Sequence, residues 1–397
     1  MKQGSRKNLA VLSFAMVVVM LGFGMVIPVF PFYIEQMGAG GSAFGLLVAI
    51  AAFTELLFGP RWGSLSDRTG RKPVLLIGLF GYALSLVLFG LSTKLWMLFV
   101  SRALSGVLSS ATVAPAMAYI GDSTPPSERG GGMGTLGAAG GLGIILGPAL
   151  GGWLAGDSLS APFFIAAGIS LVALLLTALL LPESLPREAR HPDRRVGLVS
   201  LRELGRAVRS PIGVLLLLAF LTTVGTTNFE SIFSLYAVQA LDYGPERVGA
   251  VLSVVGVVAL IGRGILTGLV TRRWGEPVVI PCALLAGSFV FVLLLLARSF
   301  PAVLLTAGLF ILITAFLRPA IHSLTSQRAT IGQGTAMGLS SSFVSLGRVV
   351  GPLWAGFAYD VNPSLPYLSG TVILLLVFLL SPRWVRPRDL VQATTVG

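Results

Sequence analysis

Two carboxylates, Glu55 and Glu230, stand inside long apolar runs; the other fourteen of the 16 acidic residues fall in polar stretches or at the ends of runs. In a lipid interior an ionised side chain costs at least ~2.5 kcal/mol, so an acid kept there reads as functional. Burial raises a carboxyl pKa, which would let such a group bind and release a proton near neutral pH. Glu230 lies in Asn228-Phe229-Glu230-Ser231-x-Phe233-x-x-Tyr236. Its aromatic neighbours add cation–π contacts to charge, an arrangement suited to cationic or amphipathic ligands. Each acid also has a structural reading, as the partner of an arginine in the same depth of chain. Five arginines share these runs: Arg61, Arg102, Arg263, Arg318 and Arg348. The last three outnumber the single acid of their half. Facing a cavity they would favour an anionic ligand; at helix ends they would carry no such meaning.

Other chemistries lack their residues. There are two histidines and one cysteine, Cys282, so a Cys framework or a His/Cys metal site has no ligands to draw on, and no cofactor is expected. No Gly-x4-Gly-Lys-[Ser/Thr] loop occurs, which argues against an ATP-driven pump. Two histidines and two intramembrane acids are too few to build a membrane enzyme's cluster of nucleophile, base or metal ligands.

The elements that must position these groups follow from composition. The chain of 397 residues is 54% hydrophobic and 11% charged, against about one-quarter charged in soluble domains. A single core cannot absorb so much apolar surface; a bilayer can. The 49 glycines suit close packing of membrane helices. Runs of about 20 apolar residues, enough to span, occur at 9–33, 43–62, 73–92, 95–120, 131–155, 162–182, 212–238, 247–270, 277–297, 301–325, 335–358 and 366–384. The first run, preceded by Lys2, Arg6 and Lys7, is too long for a cleaved signal and reads as a retained helix.

The basic residues orient these twelve runs. Of 28 Lys and Arg, 20 fall on one side, three (Lys94, Arg247, Arg298) on the other, and five within runs. The bias places both termini in the cytoplasm, in a multi-pass protein of the cell inner membrane. It also explains the +12 net charge as topology and excludes nucleic acid as the partner it serves. Residues 183–211, with Pro182 before them, carry seven arginines and form the one long connection. The expected organisation is therefore a six-helix bundle over 1–182, a basic cytoplasmic linker over 183–211 and a second bundle over 212–397, with a short tail.

The halves repeat. Gly63-Ser-Leu-Ser-Asp67-Arg68-Thr-Gly70 aligns with Gly268-Leu-Val-Thr-Arg272-Arg273-Trp-Gly275 at an offset of 205. Pro115-Ala116 aligns with Pro319-Ala320, and Met133-Gly134, Gly143 and Gly147-Pro148 with Met337-Gly338, Gly347 and Gly351-Pro352, at 204. Parallel repeats about an axis along the membrane normal are a secondary-transporter design with the substrate near the midplane.

Four segments carry a resemblance. Gly63 to Lys72, with Asp67, Arg68, Gly70 and Arg71, resembles the loop 2–3 signature of the major facilitator superfamily. Leu98-Phe-Val-Ser-Arg102-Ala-Leu-Ser-Gly106 resembles its fourth-helix motif. Gly134-x8-Gly143-x3-Gly147-Pro148-x2-Gly151-Gly152 matches its fifth-helix antiporter motif, and Gly22-x5-Pro28-Val29-Phe30-Pro31 the first-helix motif of the twelve-helix drug:proton antiporter branch. The resemblance spans essentially the whole chain. It implies an all-α membrane fold of two six-helix pseudo-symmetric bundles. It further implies a monomer that exports small amphipathic molecules in exchange for protons, as in multidrug or antibiotic efflux. An exporter or flippase of a sugar, lipid-linked glycan or anionic metabolite is the alternative on the same fold. By the same resemblance Glu230, Glu55 and Arg102 are assigned to proton coupling, although a Gln often stands at the Glu55 position in the family. Arg102 keeps a structural alternative, a bond to Glu55 or to a carbonyl. Asn228, Phe229, Glu230, Phe233 and Tyr236 resemble the substrate-binding segment of some multidrug exporters. Gly63, Asp67, Arg68, Gly70, Arg71 and Asp122 are assigned to a conformational latch, in which Asp67 on a tight loop meets a helix N-terminus of the other half, near Thr335 and Gly338.

Overall fold

The computed structural model describes residues 3–156, 158–186, 188, 190, 201–329 and 332–385. Arg187, Arg194 and Arg195 of the expected linker, and Arg386 and Arg388 of the tail, lie outside the described residues. The described chain is helical, with no strand. In hydrocarbon every backbone polar group needs an internal partner, and a helix supplies it within one segment.

Twelve long helices run through it. They are α1 (Gln3–Val26, resuming as Phe30–Gln36), α2 (Gly41–Thr69), α3 (Arg71–Gly90), α4 (Leu95–Ser123), α5 (Pro126–Ala155) and α6 (Ala161–Leu180). After a short helix, Leu201–Val208, come α7 (Gly213–Gln239), α8 (Pro245–Trp274), α9 (Glu276–Leu296), α10 (Phe300–Thr314, resuming as Leu317–Gln327), α11 (Gln333–Val361) and α12 (Leu365–Val385). Eleven of them are long and apolar enough to cross a membrane. α11 is equally long at 29 residues, but Ser340-Ser341-Ser342 and Arg348 make it more polar. Outward-facing leucines such as Leu179, Leu296 and Leu305 are about 70% exposed, a surface suited to lipid tails rather than water.

Three irregularities shape the site. α1 breaks at 27–29, next to Pro28 and Pro31. α8 contains a π-helical turn, Gly262–Leu266; such turns recur at functional positions because they rotate the side chains that follow. α10 breaks at 315–316, four residues before Pro319, where the ring denies the i−4 carbonyl its donor.

The chain clusters into two compact units. One comprises Met1–Leu198 and Ser234–Gly256, the other Val199–Phe233 and Val257–Gly397. α7 and α8 thus contribute to both. Within the first unit, Gly249 of α8 lies against the Pro148 carbonyl and Gly152 of α5 against Pro245, leaving no room for a side chain. The first core gathers Leu12, Met16, Leu75, Tyr119 and Leu136; the second gathers Ile212, Leu216, Ala336 and Phe343.

The sequence repeat reappears in backbone. Gly70, between α2 and α3, has φ +112°, and Gly275, between α8 and α9, has φ +72°. Both joints need a residue without Cβ to hold that conformation.

Candidate functional site

The second unit holds a polar, partly open cavity of about 100 Å³. α7 supplies Thr222, Thr223, Thr226, Thr227 and Glu230. These share one helical face, because positions three, four and seven apart stack along it. Facing them are Arg263 from the π-helical turn of α8, Arg318 from just beyond the break in α10, and Arg348 from α11. Thr314, Leu317 and Val344 complete the lining. Arg263 Nη2 lies 3.8 Å from Glu230 Oε1, an ion pair whose side chains are 53% and 40% exposed. Glu230 therefore opens into the cavity and is not a buried acid, as its place in an apolar run suggested.

The cavity does not gather the other residues assigned to substrate. Phe229 and Phe233 are fully buried, their rings tilted against each other at 4.9 Å between centroids, and Phe229 also meets Phe310 at 5.1 Å. Tyr236 is buried too. One residue along a helix is 100° around it, so Phe229, next to Glu230 in sequence, points into packing rather than beside it. Asn228 is fully buried, with neither amide atom hydrogen bonded among the described residues. The threonine wall is what sequence reading passed over, whereas Arg263, Arg318 and Arg348 were considered there and line the cavity. Thr223, Thr226, Thr227 and Glu230 at helical spacing was the signal available for the threonine wall.

In the first unit, Arg102 is 5% exposed. Its Nε donates to the Leu47 carbonyl at 3.2 Å. Its guanidinium lies 5.1 Å from the Phe30 ring and 5.6 Å from Phe23, on either side of the break in α1. Of the two structural alternatives for Arg102, the geometry gives the carbonyl. Glu55, on α2, is exposed, and no Arg102–Glu55 ion pair occurs among the described residues.

Asp67 belongs to the last turn of α2 rather than to a loop, and Gly63 lies inside that helix with open space around it, so close approach does not explain Gly63. The joint is Gly70 alone, because α2 runs on to Thr69. Arg71 Nη1 donates to Asp67 at 2.5 Å and to Ser66 Oγ at 2.8 Å, and its Nε donates to Asp122 at 2.8 Å. Arg68 lies in the same last turn of α2. Glu183 accepts the Arg71 and Lys72 amides at 2.8 and 3.2 Å, capping the start of α3. A Cβ on Gly70 would strike that carboxylate. Arg71→Met leaves two partly buried aspartates without their cation and is expected to cost roughly 1.5–3 kcal/mol. Arg71→Lys, which keeps the charge but not the fork, should recover only part of it. Thermal unfolding of the purified variants measures both, and an unchanged midpoint for Arg71→Met would overturn the assignment.

The motif glycines of α5 divide by face. Gly143, Gly147 and Gly151 pack against the backbone of α1, while Gly152 meets the start of α8. Gly134 has nothing within 4 Å. In the second unit Gly347 and Gly351 of α11 pack the same way against α7, at Phe220, Thr223 and Thr227.

Comparison with known proteins agrees with this architecture. The family model described as Major Facilitator Superfamily matches residues 12–312 and 215–395. Multidrug resistance protein 2 of Bacillus subtilis (strain 168) is 32% identical over 370 residues, covering 92% of each chain. Quinolone resistance protein NorA of Staphylococcus aureus is 28% identical over 377 residues, covering 93% of this chain and 96% of its own. Among solved structures, the human organic anion transporter MFSD10 (TETRAN) aligns with a TM-score of 0.69 at 26% identity, over 95% of this chain and 99% of the other.

Proposed function

This chain belongs to the major facilitator superfamily, and from that membership we propose that it exports small amphipathic compounds in exchange for protons. The observation that carries the reading is the polar cavity of the second unit, where the Glu230 carboxylate sits beside three arginines. Relatives named for multidrug and quinolone resistance support the direction and the breadth of cargo. The proposal takes residues 1–182 and 212–397 as the two bundles that move in alternating access, joined by the linker over 183–211. Glu230, Glu55 and Arg102 serve proton coupling. Gly63, Asp67, Arg68, Gly70, Arg71 and Asp122 serve the latch, and the glycines of α5 the close-packed surface that slides. The protein works as a monomer in the cell inner membrane with both termini cytoplasmic, needs no cofactor and binds no nucleic acid.

Inverted vesicles containing the protein test this. Under an imposed pH difference, a panel of fluorescent amphipaths of each charge type should include members that accumulate. A protonophore should abolish the accumulation. Accumulation that survives the protonophore, or none for any member, would overturn the exchange reading.

A further inference from the structure

We propose that an apolar groove between α8, α9 and α10 holds one chain of an anionic phospholipid, with Arg272 and Arg273 receiving its headgroup. The site requires only that the protein lies in a membrane; it is independent of what the protein exports.

The groove belongs wholly to the second unit and has a volume of about 380 Å³. That falls in the range of small-ligand sites, about 300–1,000 Å³. Val270 and Trp274 line it from the end of α8, and Ile313 and Phe316 from the region of the break in α10. α9 contributes small side chains, among them Cys282 and Ala286, and these leave the space open. The α9 wall runs from Val278 to Ala286, about 12 Å at the α-helical rise. That length suits an extended hydrocarbon chain lying along the helix. The groove also faces outward. Val278, Cys282, Leu285 and Phe289, four, three and four residues apart, are exposed and form one stripe of α9.

Charge identifies the occupant. Arg272 and Arg273 stand exposed in the last turn of α8, next to Trp274. The Arg273 guanidinium lies 5.9 Å from the centroid of the Trp274 ring, which is part of the groove. Among the described residues neither arginine pairs with a carboxylate. Glu276, the acid at this joint, instead accepts from Ser323 Oγ at 2.6 Å and from Gln327 Nε2 at 3.1 Å. In the first half of the repeat the position of Arg272 holds Asp67, whose charge is met internally by Arg71. Exchange of that acid for Arg272 leaves the second joint with two exposed cations beside an apolar groove. A phosphate headgroup joined to a hydrocarbon chain matches both features. Basic side chains at the membrane surface favour anionic lipid, and tryptophan favours the headgroup level. Other occupants fit less well. A monocationic amphipath would meet two like charges. A helix of a second copy would need small residues to approach closely, whereas the exposed Trp274 stands at this contact.

The test uses purified protein in phosphatidylcholine nanodiscs that carry a minor fraction of chain-brominated lipid, either phosphatidylglycerol or phosphatidylcholine. Bromine quenches tryptophan on contact. Subtracting the Trp274→Phe signal from that of the wild type isolates Trp274 from the other five tryptophans. Half-maximal quenching of Trp274 should need about tenfold less brominated phosphatidylglycerol than brominated phosphatidylcholine. Arg272→Gln combined with Arg273→Gln should erase that difference and leave quenching by phosphatidylcholine unchanged. Cys282, the single cysteine, reports on the groove without any variant. In detergent its rate of reaction with a maleimide should fall several-fold as phosphatidylglycerol is added, and stay level with phosphatidylcholine. Equal quenching by the two lipids, or a preference that survives loss of both arginines, would overturn the headgroup assignment. A preference without protection of Cys282 would put the chain outside the groove and overturn the site. Cys282–Cys282 crosslinking in proteoliposomes that added phosphatidylglycerol does not suppress would give the groove to a second copy and overturn it as well.

Discussion

Glu230→Gln is expected to abolish accumulation of cargo under a pH difference while leaving equilibration of cargo down its own gradient intact. Gln keeps the shape and one acceptor oxygen of the side chain but cannot take up or release a proton. Among the described residues Glu230 is the one carboxylate lining the cavity of the second unit, so the variant has no described group there for which proton and cargo compete. A difference of one pH unit supplies about 1.4 kcal/mol per proton, a roughly tenfold accumulation for a one-for-one exchange. The ratio inside to outside should fall from about tenfold to one. Folding should survive the change. The Glu230–Arg263 pair spans 3.8 Å between side chains 40% and 53% exposed, and solvent-screened pairs of this kind contribute at most about 1 kcal/mol. Loss of accumulation with an unchanged elution profile would thus mark loss of coupling. Full accumulation by Glu230→Gln would move the proton to another carboxylate, with Glu55 on α2 the next to substitute.

The positions of these groups were unevenly legible in the sequence. The twelve runs and their repeat could be read because hydrophobic length and glycine spacing are local properties. The offset of 205 that pairs Gly70 with Gly275 corresponds to two joints with positive φ. The fifth-helix glycines were legible because spacings of four residues define one face of a helix. The cavity was not legible, because it depends on rotation. The acid and its flanking aromatics look like one motif when written in line, yet Phe229 turns into the packing of α9 and α10 while Thr223, Thr226 and Thr227 share the face of Glu230. Arg263 reaches that face from a π-helical turn, which shifts the phase of α8 in a way no regular periodicity predicts. Arg318 follows a break that Pro319 causes but whose direction depends on packing. The partner of Arg102 is a carbonyl 55 residues away; backbone acceptors have no sequence signature.

Gly147→Val is expected to prevent stable folding, whereas Gly134→Val, at another glycine of the same motif, should fold like the wild type. A Cβ on Gly147 would lie 2.5 Å from the Leu21 carbonyl oxygen and 2.8 Å from Gly24 Cα. Both are backbone atoms of α1, so no rotamer change can relieve the overlap and the two helices must separate. Gly24 is itself close against α5, where an added Cβ would lie 2.8 Å from Pro148 Cδ. Overpacking costs about 1–3 kcal/mol when side chains can adjust, and more when they cannot. Separating α1 from α5 also forfeits their dispersion contacts, which in lipid carry much of the attraction between helices. The readout is the fraction of detergent-extracted protein that elutes as a single monodisperse species. Gly147→Val should lose most of that fraction, and normal elution would show that the α1–α5 approach is looser than the structure gives. Gly134 has nothing within 4 Å, so packing within its own unit gives no reason for a glycine there. If Gly134→Val folds but fails to accumulate cargo, that glycine is required by a step of the transport cycle and not by the fold.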